Sequence, residues 1–145
     1  LATRYAQVWI QSHVAENKDE IRWARELFPQ SRSSLATYAD FGLMRERAIY
    51  AHCIHFDDQD RALMRDTGAA AAVSPTSNLF LGSGFFDFAR ADAAGFRYGL
   101  ASDVGGGTSF TMASSTSSEP NEKASTSWTG SPLILSSLPQ LMRIW

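Results

Sequence analysis

"YAQVWIQSHVAENKDEIRWARELF", residues 5–28, decides the fold, because a β-rich run passes directly into a helical pattern. "YAQVWIQSH" reads as a buried strand, with Trp9, Gln11 and His13 on one face of it. In "NKDEIRWARELF", Ile21, Ala24, Arg25 and Phe28 recur at helical spacing behind Asn17, a suitable N-cap. The strand ends in a histidine with Glu16 three residues behind it, an ending that a purely structural strand does not need. The unit then recurs. "RAIYAHCIH" leads into "DDQDRALMRDTG", where Asp57 or Asp58 caps a helix and Gly68 ends it. "AAAAVSPTSN" leads through "LGSG" into "FFDFARADAAG", and "FRYGLASD" leads into "VGGGTSFTM". Mostly apolar strands alternating with helices predict an α/β fold with parallel strands, since each parallel return needs a crossover.

The polar residues His13, His52, Asn78 and Asp103 are expected at or just beyond the carboxyl ends of their strands. In parallel α/β folds, and above all in the eight-stranded barrel, that edge carries the chemistry. About four βα units make half a barrel, which leaves two open sheet edges. Partner strands from elsewhere, or a chain cut from something longer, are therefore expected. The start "LATRYAQVW", which lacks both an initiator Met and a signal-peptide core, is read the same way.

At 145 residues and 15.9 kDa the chain has the size of one domain. Thirteen basic and fifteen acidic residues are scattered along it for a net charge of −2, which gives no electrostatic case for nucleic acid or an anionic membrane. A small-molecule partner is expected instead. The single Cys53 excludes an internal disulfide and fits a reducing compartment, and no apolar run has the length of a membrane span. The expected location is cytoplasmic.

Two histidines and an aspartate are suitable ligands for a divalent ion such as zinc, which takes imidazole nitrogen and carboxylate oxygen. A catalytic ion keeps one position for water and acidifies it towards a neutral pKa, making a nucleophile. Glu16 follows His13 into the loop, where it can act as general acid and base without binding the ion. Each residue also has a plainer reading. Histidine in a buried strand is commonly a hydrogen-bonded core residue, Asp103 before "VGGG" can start a turn, and Glu16 suits a helix N-terminus. Joint placement on one edge favours the metal. His55 is read as either a partner of the metal's ligands or a solvated loop residue, the latter preferred, and Cys53 as a small buried hydrophobe on the face opposite His52. "GGG" at 105–107 lacks the Lys-Ser or Lys-Thr of a phosphate loop.

"QSHVAEN", "YAHCIHF", "SPTSNLFLGSGFF" and "GLASDVGGGTSFTM" together resemble the carboxyl-side half of the guanine deaminases, in the metal-dependent amidohydrolase superfamily. The likeness covers about residues 4–112, with four motifs in the right order. It implies a partial, TIM-like (β/α)8 barrel with one zinc ion held by His13, His52 and Asp103. It also implies a proton shuttle at Glu16 and a second catalytic role for Asp103, which accepts the proton of the attacking water. The implied reaction converts guanine and water to xanthine and ammonia, in a cytosolic homodimer. The family's first-strand His-x-His pair, and the Arg and Gln that hold the purine, have no counterpart here, so the substrate-binding residues are unknown.

From residue 113 the text changes: nine serines fall in the last 33 residues, as many as in the preceding 112. Residues 1–112 are thus expected to form the partial barrel. Residues 113–145 are expected to be a low-complexity, irregular tail, either a disordered natural one or a frameshifted reading. Three functions follow as expectations. The first is a zinc-dependent guanine deaminase fragment, inactive as an isolated chain. The second is another amidohydrolase acting on an aminated heterocycle, and the third is a non-catalytic metal-binding remnant that docks through its open edges.

Overall fold

The computed structural model describes residues 4–108. Four strands, β1 (Ile10–Val14), β2 (Ala48–His52), β3 (Ala70–Val73) and β4 (Arg97–Leu100), alternate with helices α1 (Lys18–Leu27), α2 (Ser34–Asp40), α3 (Asp58–Thr67), α4 (Pro75–Phe80) and α5 (Phe88–Ala94). All neighbouring strands are parallel and lie in the order β1-β2-β3-β4. Sequential parallel strands joined by helices are the arrangement of a segment of a (β/α)8 barrel. Residues 104–108 form turns rather than a helix. The expectations for residues 113–145 lie outside the described residues.

The helix starts and stops are set locally. Asn17 takes extended backbone and its side chain accepts from the Glu20 N–H. Asp57 and Asp60 form a reciprocal capping box ahead of α3, and Gly68 closes that helix in the left-handed conformation. Two helices depart from the sequence reading. α2 is short and is capped by Ser33, whose side chain accepts from the Ala36 N–H. α4 begins at Pro75, so Asn78 lies on a helix and not at a strand end. Pro75 supplies the reason, since its fixed φ suits the first helical position and its missing N–H is not needed there. β1 is also shorter than its apolar run, because the ladder starts where Ile10 meets Ala48.

One face of the sheet holds the core. Val14, Tyr50, Ala71 and Val73 pack with Leu35 of α2, Met64 of α3, Ala91 of α5 and Phe96. On the other face, among the described residues, Gln11 and His13 of the edge strand β1 alternate with Val14 and are exposed. Among the described residues no helix is long and apolar enough to cross a membrane.

An ion-pair cluster ties the α1–α2 connection to α3. Arg32 Nη1 lies 2.6 Å from Asp57 Oδ2, Arg32 also binds Asp60, and Ser33 Oγ donates to Asp60 at 2.6 Å. Burial acts to raise the Asp57 carboxyl, but the Asp60 N–H and the Arg32 guanidinium outweigh it and hold the group below the usual carboxylate range. A depressed folded pKa contributes stability above the unfolded value of about 3.9, and loses it as pH falls through the folded one. The melting temperature is therefore expected to fall as pH drops from about 5 towards 2. Asp57→Asn keeps the cap but removes the charge, and should make that fall shallower. Equal slopes in thermal melts of the two proteins would exclude this role for Asp57.

Candidate metal centre

β1 delivers His13 and Glu16 to the carboxyl edge of the sheet. Tyr38 of α2 fixes the strand end, its hydroxyl donating to the His13 carbonyl at 3.0 Å and lying 2.7 Å from Ser12 Oγ. The loop after it is clamped by Glu20, whose carboxylate accepts from the Ala15 N–H at 2.9 Å and the Glu16 N–H at 2.8 Å. Glu20 is thus both an acid in the first turn of α1 and the clasp of the Glu16 loop.

β2 delivers His52 by an unusual backbone. Register pairs His52 with Val14, which is buried on the core face while His13 points the other way. Yet the His52 ring stacks on His13, with centroids 5.2 Å apart and an interplanar angle of 29°. The φ of +68° at His52 accounts for this, because left-handed backbone turns the side chain out of strand alternation. Cys53 follows at φ +54° and is buried, its Sγ donating to the Tyr50 carbonyl. Burial pushes that thiol well above its usual pKa, so Cys53 is a core hydrophobe, as its sequence context indicates.

Asp103 arrives after β4, also left-handed at φ +51°. Its ligand-type oxygen and one ring nitrogen each from His13 and His52 lie within 4.8 Å of one another. His52 is buried, Asp103 half-buried and His13 exposed. Two imidazoles and a carboxylate at this separation suit a divalent metal of the zinc class. Glu16 stands beside them, with Oε2 3.7 Å from His52 Nε2 and Oε1 accepting from Ser83 Oγ at 3.1 Å. The four residues singled out in the sequence are therefore brought together.

Of the residues that support the site, sequence reasoning pointed to Asn78, as a strand-end residue, and weighed His55 as a partner of the ligands, but it missed Ser77 and Ser83. Ser83 lies 67 residues from Glu16 and leaves no local signal. His55, read as solvated, is half-buried with its Nε2 3.1 Å from the Ser83 carbonyl, bracing the same loop. Ser77 Oγ donates to Asp103 Oδ2 at 2.5 Å, and Asn78 Oδ1 lies 2.8 Å from His52 Nδ1.

The glycines after Asp103 fold back over it. Gly106 and Gly107 N–H groups donate to the Asp103 carbonyl at 3.1 and 2.6 Å. A Cβ on Gly107 would meet the Ser102 carbonyl oxygen at 2.6 Å, and one on Gly106 would meet Asp103 Oδ2 at 2.8 Å. Backbone cannot yield as a flexible side chain does, so Gly107→Ala is expected to open the turn and displace Asp103. A loss of ~1–3 kcal/mol, the usual range for overpacking, should accompany weaker zinc binding, and a thermal melt with a zinc titration checks both.

Comparison with known proteins gives the same neighbourhood. The chain is 37% identical over 112 residues to guanine deaminase of Escherichia coli (strain K12), covering 77% of this chain and 26% of that protein. A solved structure of E. coli guanine deaminase aligns with a TM-score of 0.74 at 35% identity, over 76% of this chain and 26% of the other. Guanine deaminase from C. acetobutylicum, solved with guanine bound in its active site, gives a TM-score of 0.70 at 32% identity, covering 73% and 25%. The chain thus spans about a quarter of the length of these relatives. The model of the amidohydrolase family matches residues 1–122, and with the parallel sheet and its edge of two histidines, a glutamate and an aspartate, the chain belongs to the amidohydrolase family.

Proposed function

We propose that this chain forms part of the active site of a zinc-dependent guanine deaminase, converting guanine and water to xanthine and ammonia. The observation that carries it is the convergence of His13, His52 and Asp103 within 4.8 Å, with the Glu16 carboxylate beside His52. Identity to guanine deaminases, one of them solved with guanine bound, supports the substrate.

In this reading His13, His52 and Asp103 hold the ion. A bound divalent ion supplies acidification of water at neutral pH. Asp103 accepts the proton that the water gives up as its oxygen adds to the amino-bearing carbon. Protonated Glu16 gives its proton to a ring nitrogen. The resulting carboxylate takes the hydroxyl proton of the adduct and passes it to the amine, so the C–N bond breaks as the C=O bond forms and ammonia leaves as a neutral molecule. The proton held by Asp103 returns to Glu16 to close the cycle. Ser83 keeps the Glu16 carboxylate turned to the site through its hydroxyl. The chain alone is expected to be inactive, because orienting a substrate needs walls on both sides and His13 is exposed among the described residues. The full-length protein is taken as a cytoplasmic homodimer.

A hybrid tests this. Residues 4–108 replace the matching segment of the E. coli relative, and xanthine formation from guanine is measured. Turnover supports the assignment. A folded, zinc-loaded hybrid that leaves guanine intact overturns the substrate, and a panel of other aminated heterocycles then identifies the one accepted.

A further inference from the structure

Ser77 and Asn78 are consecutive residues of α4, 0% and 1% exposed, and they contact two different members of the site. Their partners come from separate strands. His52 ends β2 and Asp103 follows β4, while β3, which runs into α4, lies between them in the sheet. One helical turn therefore reaches both flanking strand ends at once.

The chemistry of the two contacts has a direction. Asn78 Oδ1 lies 2.8 Å from His52 Nδ1; a carboxamide oxygen only accepts, so with that oxygen as the partner Nδ1 carries the hydrogen and Nε2 keeps its lone pair. Nε2 is the nitrogen that faces Glu16 at 3.7 Å. Ser77 Oγ donates to one oxygen of Asp103 and leaves Oδ1 for another partner. Asn78 is half satisfied in doing this, since its Nδ2 is buried without a hydrogen-bond partner among the described residues. Leaving a buried donor unpaired is destabilising, so packing alone does not explain an asparagine at this position.

We propose that Ser77 and Asn78 are paired positioning residues, with α4 fixing which nitrogen of His52 and which oxygen of Asp103 are offered to the metal. This rests on the metal assignment of the preceding section. Supports of this kind typically change metal affinity ~10–100-fold when removed.

The test begins without metal. Long-range nitrogen-15 NMR of the apo chain at alkaline pH reads the tautomer of His52, one of only three histidines. The Nδ1–H form is expected. Asn78→Leu, which keeps the volume but not the acceptor, should shift His52 to the Nε2–H form, and Asn78→Asp, which restores an acceptor, should return it. A resting Nε2–H tautomer in the unmodified chain overturns the proposal even if the leucine variant fails to fold, as does a tautomer unmoved in a folded leucine variant. Zinc titration then reads Ser77→Ala and Asn78→Leu, each expected to weaken binding ~10–100-fold. Unchanged affinity in Ser77→Ala removes Ser77 from the pair. If the unmodified chain takes up no zinc while Asn78 still sets the tautomer, the metal assignment falls together with the role of Ser77, and only the orientation of His52 by Asn78 survives.

Discussion

Glu16→Gln in the hybrid enzyme is expected to lower xanthine formation by ~10²–10⁴-fold, the usual contribution of general acid–base catalysis, while zinc content stays unchanged. The amide has the shape of the carboxylate and keeps an oxygen for the Ser83 hydroxyl, so the loop clasped by Glu20 should hold its position. What the amide lacks is a proton it can give and take at neutral pH. A fall in rate without a fall in metal therefore isolates proton transfer. If the ion is lost with the carboxylate, Glu16 is itself a ligand. If the rate is unchanged, the proton travels through another group.

His13→Ala and His52→Ala are expected to reduce bound zinc from about one ion per site to a trace, measured by metal analysis after dialysis. The two should differ in stability. His13 is exposed, so its removal deletes a donor with little change in packing. His52 is buried and paired with Asn78, so its removal leaves a cavity and a carboxamide with neither end satisfied. Abandoning a buried polar group typically destabilises by ~1–3 kcal/mol. Retained zinc in the His13 variant would remove that residue from the ligand set, and equal melting temperatures in the two variants would contradict the buried pairing of His52.

The fold was legible wherever a local rule wrote it. Asn17, Asp57 and Gly68 mark helix ends through their own side chains or their own φ, and they stand where the capping pattern places them. α2 was missed because seven residues carry too little periodicity to stand out, although Ser33 was there as a cap. α4 was hidden inside a run read as strand, since "AAAAV" and "SPTSN" are both short and only the proline separates them. At the site, residue types announced His13, Glu16, His52 and Asp103. Of their supports, Asn78 was noticed as a strand-end residue and His55 was weighed as a partner, but Ser77 and Ser83 did not show, because they act across gaps that only the folded sheet closes. The left-handed turn at His52 was also invisible, since strand alternation alone would have sent its ring into the core.

That turn bears on how such a chain changes over generations. Ala15, His52, Cys53 and Asp103 all hold positive φ, a conformation in which glycine or asparagine sits at less strain than other side chains. At positions 52 and 103 the fold and the chemistry thus pull in opposite directions, an instance of the trade between stability and activity. At position 52 the buried pairing with Asn78 opposes the relief of backbone strain, whereas Asp103 is only half-buried, so a descendant released from selection on activity drifts to glycine or asparagine more readily at 103. Aspartate kept at position 103 in a divergent copy would therefore mark selection on the chemistry more than on the scaffold that carries it.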